Sequence, residues 1–91
     1  MMFAVEWSRT AENQLAEVWS HASDRNLVTA AVQRIDEALR LNPETCGESR
    51  DWGRRILIEP PLAVTFSVDS MNRSVLVLYS WRLPAPRGRS S

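Results

Sequence analysis

RDWGRRILIEPPLAVTFSVDSMNRSVLVLYSW, residues 50 to 81, decides the fold. In its middle Leu62, Val64, Phe66 and Val68 alternate with Ala63, Thr65, Ser67 and Asp69, and a period of two marks a strand with one buried face. After the polar turn Ser70-Met71-Asn72-Arg73 the alternation returns in Val75, Val77, Tyr79 and Trp81, so an antiparallel hairpin is expected. Leu76 and Leu78 between them are apolar too, which makes this last strand central and covered on both faces. Arg54 to Glu59 reads as the strand before the hairpin. Pro60-Pro61 is a tight corner, because neither proline can donate to a ladder.

Upstream, Phe3, Val5 and Trp7 alternate with Ala4 and Glu6, giving a first strand over Met2 to Trp7. Ser8 or Thr10 can cap a helix whose stripe is Ala11, Leu15, Val18, Trp19 and Ala22, with Glu12 and Glu17 facing water. The cluster Ser23-Asp24-Arg25-Asn26 breaks this pattern and offers Asp24 as the next cap. A second stripe, Val28, Ala31, Val32, Ile35, Ala38 and Leu39, runs to Asn42-Pro43, where proline stops the helix. The break between the helices is short, so they form an antiparallel hairpin packed on one sheet face. Residues 43 to 53 read as a polar connector turning at Gly47 and Gly53. The expected fold is α+β with order β-α-α-β-β-β, a helical hairpin on a small, mainly antiparallel sheet. One domain spans residues 1–82, and residues 83–91 form a flexible basic tail.

A chain of 91 residues buries about 60 to 65 percent of its unfolded surface. Its stability should lie near 5 to 13 kcal/mol. Cys46 is the only cysteine, which excludes an intramolecular disulfide and leaves an incidental loop thiol. No apolar run reaches membrane-spanning length and the start shows no signal-peptide pattern, so a cytoplasmic location without membrane contact is expected. The formal charge is zero but divided. Residues 1 to 49 hold four arginines against eight acidic side chains, and residues 50 to 91 hold seven against three. Such a split favours an oriented protein partner over non-specific nucleic-acid coating. All eleven basic residues are arginine, which can clamp a carboxylate or phosphate but cannot shuttle a proton at neutral pH.

The strand ending Trp7-Ser8 before an alanine-led helix, the Asp24-Arg25 junction, Asn42-Pro43, Gly47-Glu48-Ser49-Arg50, and the run from Arg55-Ile56-Leu57 to Pro61-Leu62-Ala63-Val64 occur in a telling order. Over about residues 2 to 82 that order resembles the RelE/ParE toxin superfamily. The resemblance implies the toxin of a type II toxin–antitoxin module of the plasmid-stabilisation type, neutralised by a cognate antitoxin. Members divide into ribosome-dependent messenger RNA endonucleases, like RelE, and gyrase poisons, like ParE. The nuclease branch places basic residues on the second and third strands, and another with a tyrosine or histidine near the C-terminus, to stabilise developing phosphate charge. Here Arg54 and Arg55 start the second strand, Ala63 stands at the third-strand position, and no tyrosine or histidine follows Arg82. Arg54, Arg55 and Arg82 are thus the catalytic candidates of an incomplete set, and the gyrase-binding branch is favoured. A non-toxic interaction module on the same scaffold is a third reading.

His21, the lone histidine, lies beside the first helical stripe and reads as a rim residue. Trp7, Trp19 and Trp81 fall on apolar stripes and are expected in the core, as is Tyr79 on the Val75 and Val77 face. Trp52 differs, because it stands in the polar connector between Asp51 and Gly53 and suits a partner anchor. The expected partner-binding set is Arg50, Trp52, Arg54, Arg55 and Arg82. No metal-ligand spacing and no cofactor motif occurs in the sequence.

Overall fold

The computed structural model describes residues 2–84, so all of the expected tail except Leu83 and Pro84 lies outside the described residues. Strand β1 (Ala4–Trp7) leads into helix α1 (Arg9–His21) and helix α2 (Arg25–Leu41). A two-residue strand β2 (Glu48–Ser49) and a single 3-10 turn (Asp51–Gly53) precede β3 (Arg54–Glu59), β4 (Leu62–Asp69) and β5 (Ser74–Arg82). The strands form one sheet in the order β1-β5-β4-β3-β2. β1 runs parallel to β5 and every other pairing is antiparallel.

Both helices lie on one side of this sheet. Phe66, Val64 and Leu62 of β4 and Val75 and Val77 of β5 meet Ala11 of α1 and Val28, Ala31, Ile35 and Leu39 of α2 in a single buried core. Leu15, Val18, Val32 and Ala38 flank it, so the stripes read from the sequence are the buried ones. Trp19 departs from that reading: it sits at the rim, 43% exposed, with the Arg25 guanidinium 5.6 Å from its ring centre. Trp7 is half-buried against the core.

Ser8 caps α1 through its hydroxyl, which accepts from the Ala11 amide at 3.0 Å. Asp24 occupies the N-cap position of α2 but makes no capping bond, contrary to expectation. Its carboxylate instead receives both terminal nitrogens of Arg82, at 2.7 and 3.0 Å, and a bidentate guanidinium outcompetes a single amide. The expected polar connector contains β2, whose two polar residues carry no periodic signal but pair with Ile56 and Arg55. The turn points hold: Gly47 and Gly53 both have positive φ, and at Gly47 an added Cβ would collide with the Ile56 carbonyl.

β5 departs most from its sequence reading. Ser74, Val75, Leu76 and Val77 pair with Asp69, Val68, Ser67 and Phe66, whereas Tyr79, Ser80, Trp81 and Arg82 pair with Thr65, Val64, Ala63 and Leu62. Leu78 is left over as a bulge, and one extra residue shifts the alternation to the opposite faces. Ser80 therefore points into the core, while Tyr79 and Trp81, expected there, emerge on the helix-free face at 43% and 37% exposure. Leu76 shares that face, so β5 is interior to the sheet but covered on one side only.

Phe66 is fully enclosed between sheet and helices, and Phe66→Ala should cost about 3 to 5 kcal/mol. An unchanged urea midpoint would contradict that assignment. Gly47→Ala should cost more than about 2 kcal/mol because left-handed strain adds to a backbone collision, whereas Gly53→Ala, with open space around it, should cost about 1 kcal/mol. Paired urea titrations of the two variants compare them directly.

Candidate partner-binding site

The β2–β3 hairpin presents the candidate site. Its ladder runs from Glu48↔Ile56 through Ser49↔Arg55 and closes with the Arg50 amide donating to the Arg54 carbonyl at 2.7 Å. Asp51, Trp52 and Gly53 form the tip, and the Arg54 amide donates back to the Asp51 carbonyl. Trp52 (φ 66°) and Gly53 (φ 70°) are both left-handed, as a primed hairpin turn requires at its two central positions. Asparagine or glycine normally fills the first of these, since a bulky side chain there is strained. Trp52 holds it all the same, with its side chain projecting at 91% exposure. A strained, solvent-facing indole gains nothing for the fold and suits an anchor for something outside it.

The five sequence-derived site residues separate into two groups. Arg50, Trp52 and Arg54 come together at this tip. Arg50 pairs with Glu48 at 2.9 Å across an exposed surface, and Arg54 is exposed with no ion-pair partner among the described residues. Arg55 points to the helix side and is tied down: its Nε donates to the Cys46 carbonyl at 2.9 Å and a terminal nitrogen donates to that of Gly47 at 3.3 Å. The guanidinium thereby holds the Pro43–Gly47 stretch against β3. Arg82 lies two strands away from β3, at the far end of β5, and is bound to Asp24.

Electrostatics follow these contacts. The hydrogen bonds from Arg82 hold the Asp24 carboxyl below its ordinary range and raise Arg82 in turn. Burial pushes the Cys46 thiol up despite the nearby Arg55 charge, so the sulfur stays protonated and unreactive at neutral pH. Among the described residues no group of three or more histidine, cysteine, aspartate or glutamate side chains could hold a metal ion.

A phosphate-cleaving site needs several cations and a proton-transferring group around one spot. Of the three arginine candidates only Arg54 reaches the helix-free face. Tyr79 reaches it as well, at adjoining sites on β4: Arg54 pairs with Ser67, and Tyr79 with Thr65. The alternation places Tyr79 in the core with Val75 and Val77, because Leu76-Val77-Leu78-Tyr79 is apolar throughout and hides the bulge that turns it outward.

No family model and no curated protein matches the chain. Solved structures do. The chain is similar to the chromosomal ParDE toxin–antitoxin system from P. aeruginosa, with TM-score 0.66 and 22% identity over 91% of this chain and 98% of that one. It is similar to the RelBE2 toxin–antitoxin complex from Mycobacterium tuberculosis, with TM-score 0.73 and 16% identity over 90% and 99%. The archaeal RelE–RelB complex from Pyrococcus horikoshii OT3 follows at TM-score 0.59 and 16% identity over 99% and 100%. The chain has the RelE/ParE toxin fold.

Trp52→Asn should stabilise the free protein by about 0.5 to 1 kcal/mol, since asparagine tolerates the left-handed region. A lower urea midpoint would show that the indole supports the fold. Asp24 contributes stability above about pH 4, which is lost as pH falls through its depressed folded value. The advantage of the native chain over Asp24→Asn should therefore be present at pH 6 and shrink progressively as the solution is acidified below about pH 4. Urea midpoints across that range read it out, and a difference that grows on acidification contradicts the sign.

Proposed function

We propose that this chain is the toxin of a type II toxin–antitoxin pair and acts by binding DNA gyrase in the cytoplasm. What supports a toxin is the likeness of the whole fold to proteins solved as parts of ParDE and RelBE toxin–antitoxin complexes. The observation that favours binding over cleavage is the disposition of the guanidinium groups. Arg55 and Arg82 are committed to the connector carbonyls and to Asp24, and the neighbouring Arg50 is paired with Glu48, which leaves Arg54 as the one candidate without an acidic partner among the described residues on the open face. One unpaired cation beside an ion-paired arginine stabilises a developing phosphorane charge less than a clustered set of free ones does. No described helix is long and apolar enough to cross a membrane.

The cognate antitoxin lands on the hairpin tip in this reading. An acidic segment with an apolar side chain pairs with Arg50 and Arg54 while packing on Trp52, and the carboxylate-rich helical half stays free. A ribosome-dependent endoribonuclease is the second reading, favoured by Tyr79 sharing the open face with Arg54.

Two assays on the induced protein separate these readings. Expression should arrest growth, co-expression of the adjacent gene product should relieve it, and purified protein should inhibit supercoiling by gyrase. Transcript ends mapped during induction should show no cuts in register with codons. Such cuts, abolished by Tyr79→Phe or Arg54→Ala, would replace gyrase binding with RNA cleavage.

A further inference from the structure

The helix-free face of the sheet has an internal regularity that neither reading uses. Its residues fall into rows across the strands. One row runs Glu6, Leu76, Ser67, Arg54 through β1, β5, β4 and β3, with an acid at one end and a base at the other. In this row and the two beyond it, β5 displays the large side chains Leu76, Tyr79 and Trp81, and β4 places the small Ser67, Thr65 and Ala63 directly opposite. A ridge therefore runs beside a trough. The β5 ridge is substantially exposed, as is Ile58 at the far margin.

We infer that this face is the contact surface of a homodimer. A twofold axis lying between two facing sheets, parallel to the strands and midway between β4 and β5, exchanges left for right and keeps each row at its own height. The ridge of one copy then lies over the trough of the other, Leu76 on the partly exposed Ser67 and Tyr79 on the partly exposed Thr65, while Ala63 is already covered within its own chain. In the first row Glu6 meets Arg54 of the second copy, twice by symmetry. Both size and charge are thus complementary to themselves under one operation, which is what an isologous interface demands. Sheets packed this way keep their strands nearly aligned, so ordinary twist does not destroy the match.

The bulge at Leu78 creates this arrangement, because without it Tyr79 and Trp81 would leave the face that carries Leu76. The patch has four positions in the first row and three in each of the other two, roughly 300 Å² per copy, which is the size of a weak, transient contact and fits a dimer with a dissociation constant on the order of 100 µM. The inference does not rest on the toxin reading and stands or falls with the free chain alone.

Sedimentation velocity of the purified full chain tests it. The sedimentation coefficient should rise from that of the 10.4 kDa monomer toward that of a species of twice that mass between about 1 and 200 µM. Glu6→Arg and Arg54→Glu should each weaken association about tenfold or more, because each sets like charges opposite one another. The double variant Glu6→Arg/Arg54→Glu should restore it. Thr65→Trp, which fills the trough beneath Tyr79, should abolish association and serves as an independent check if a reversal variant fails to fold. A chain that stays monomeric throughout, association indifferent to these changes, or folded single variants whose loss the double does not restore would each overturn this dimer.

Discussion

The junction between Ser8 and the Leu78 bulge is the constraint on which the rest of the molecule depends. The Ser8 amide donates to the Val77 carbonyl at 2.8 Å, and its hydroxyl donates to the Leu78 carbonyl at 3.0 Å while accepting from Ala11. One residue thus ends β1 with the last bond of its parallel ladder, starts α1 and satisfies the carbonyl of the bulged Leu78. Just beyond, the Ser80 hydroxyl donates to the Ala11 carbonyl at 2.8 Å and the Ser80 amide donates to the Gln14 side chain at 2.9 Å. The first turns of α1 are therefore stitched to β5 by polar contacts in addition to apolar packing. A buried hydroxyl is tolerated here because its bonds are made.

From that junction the two faces of the sheet acquire different roles. On the helix side arginines act as struts between elements: Arg34 of α2 reaches Glu59 and the Pro60 carbonyl, Arg55 holds the connector, and Arg82 closes on Asp24 between the helices. Of these struts only Arg82–Asp24 joins the basic half of the chain to the acidic half; Arg34–Glu59 runs the other way and Arg55 binds neutral carbonyls. On the open side the bulge brings out aromatic surface, and the strained tip adds Trp52. The contrast between arginines committed to structure and aromatics displayed to solvent directs the functional reading toward recognition.

Much of this was legible in the sequence where periodicity speaks. The helical stripes from Ala11 to Ala22 and from Val28 to Leu39 repeat at a spacing that only a helix buries on one side, and Asn42-Pro43 ends α2 at Leu41. β3 and β4 have the bounds expected from their alternation and proline corner. The failures share a cause. Leu76 to Tyr79 is apolar at every position, so a one-residue slip leaves no polar residue to betray it, and only the polar Ser80 on the core side hints at a change of face. β2 is invisible because two polar residues have no period. Asp24 has the right chemistry for a cap, but which hydrogen bond it makes depends on an arginine 58 positions away. Trp52 was legible as exposed; its left-handed backbone was not, since tryptophan is a poor candidate for that turn position.

Cross-strand nuclear Overhauser contacts between β4 and β5 in the free chain test the bulge most directly. Thr65 should lie opposite Tyr79 and Phe66 opposite Val77, with Leu78 unpaired. An unbroken ladder that puts Val64 opposite Tyr79, and with it Tyr79 in the core, would contradict the face assignment and everything built on the open sheet surface.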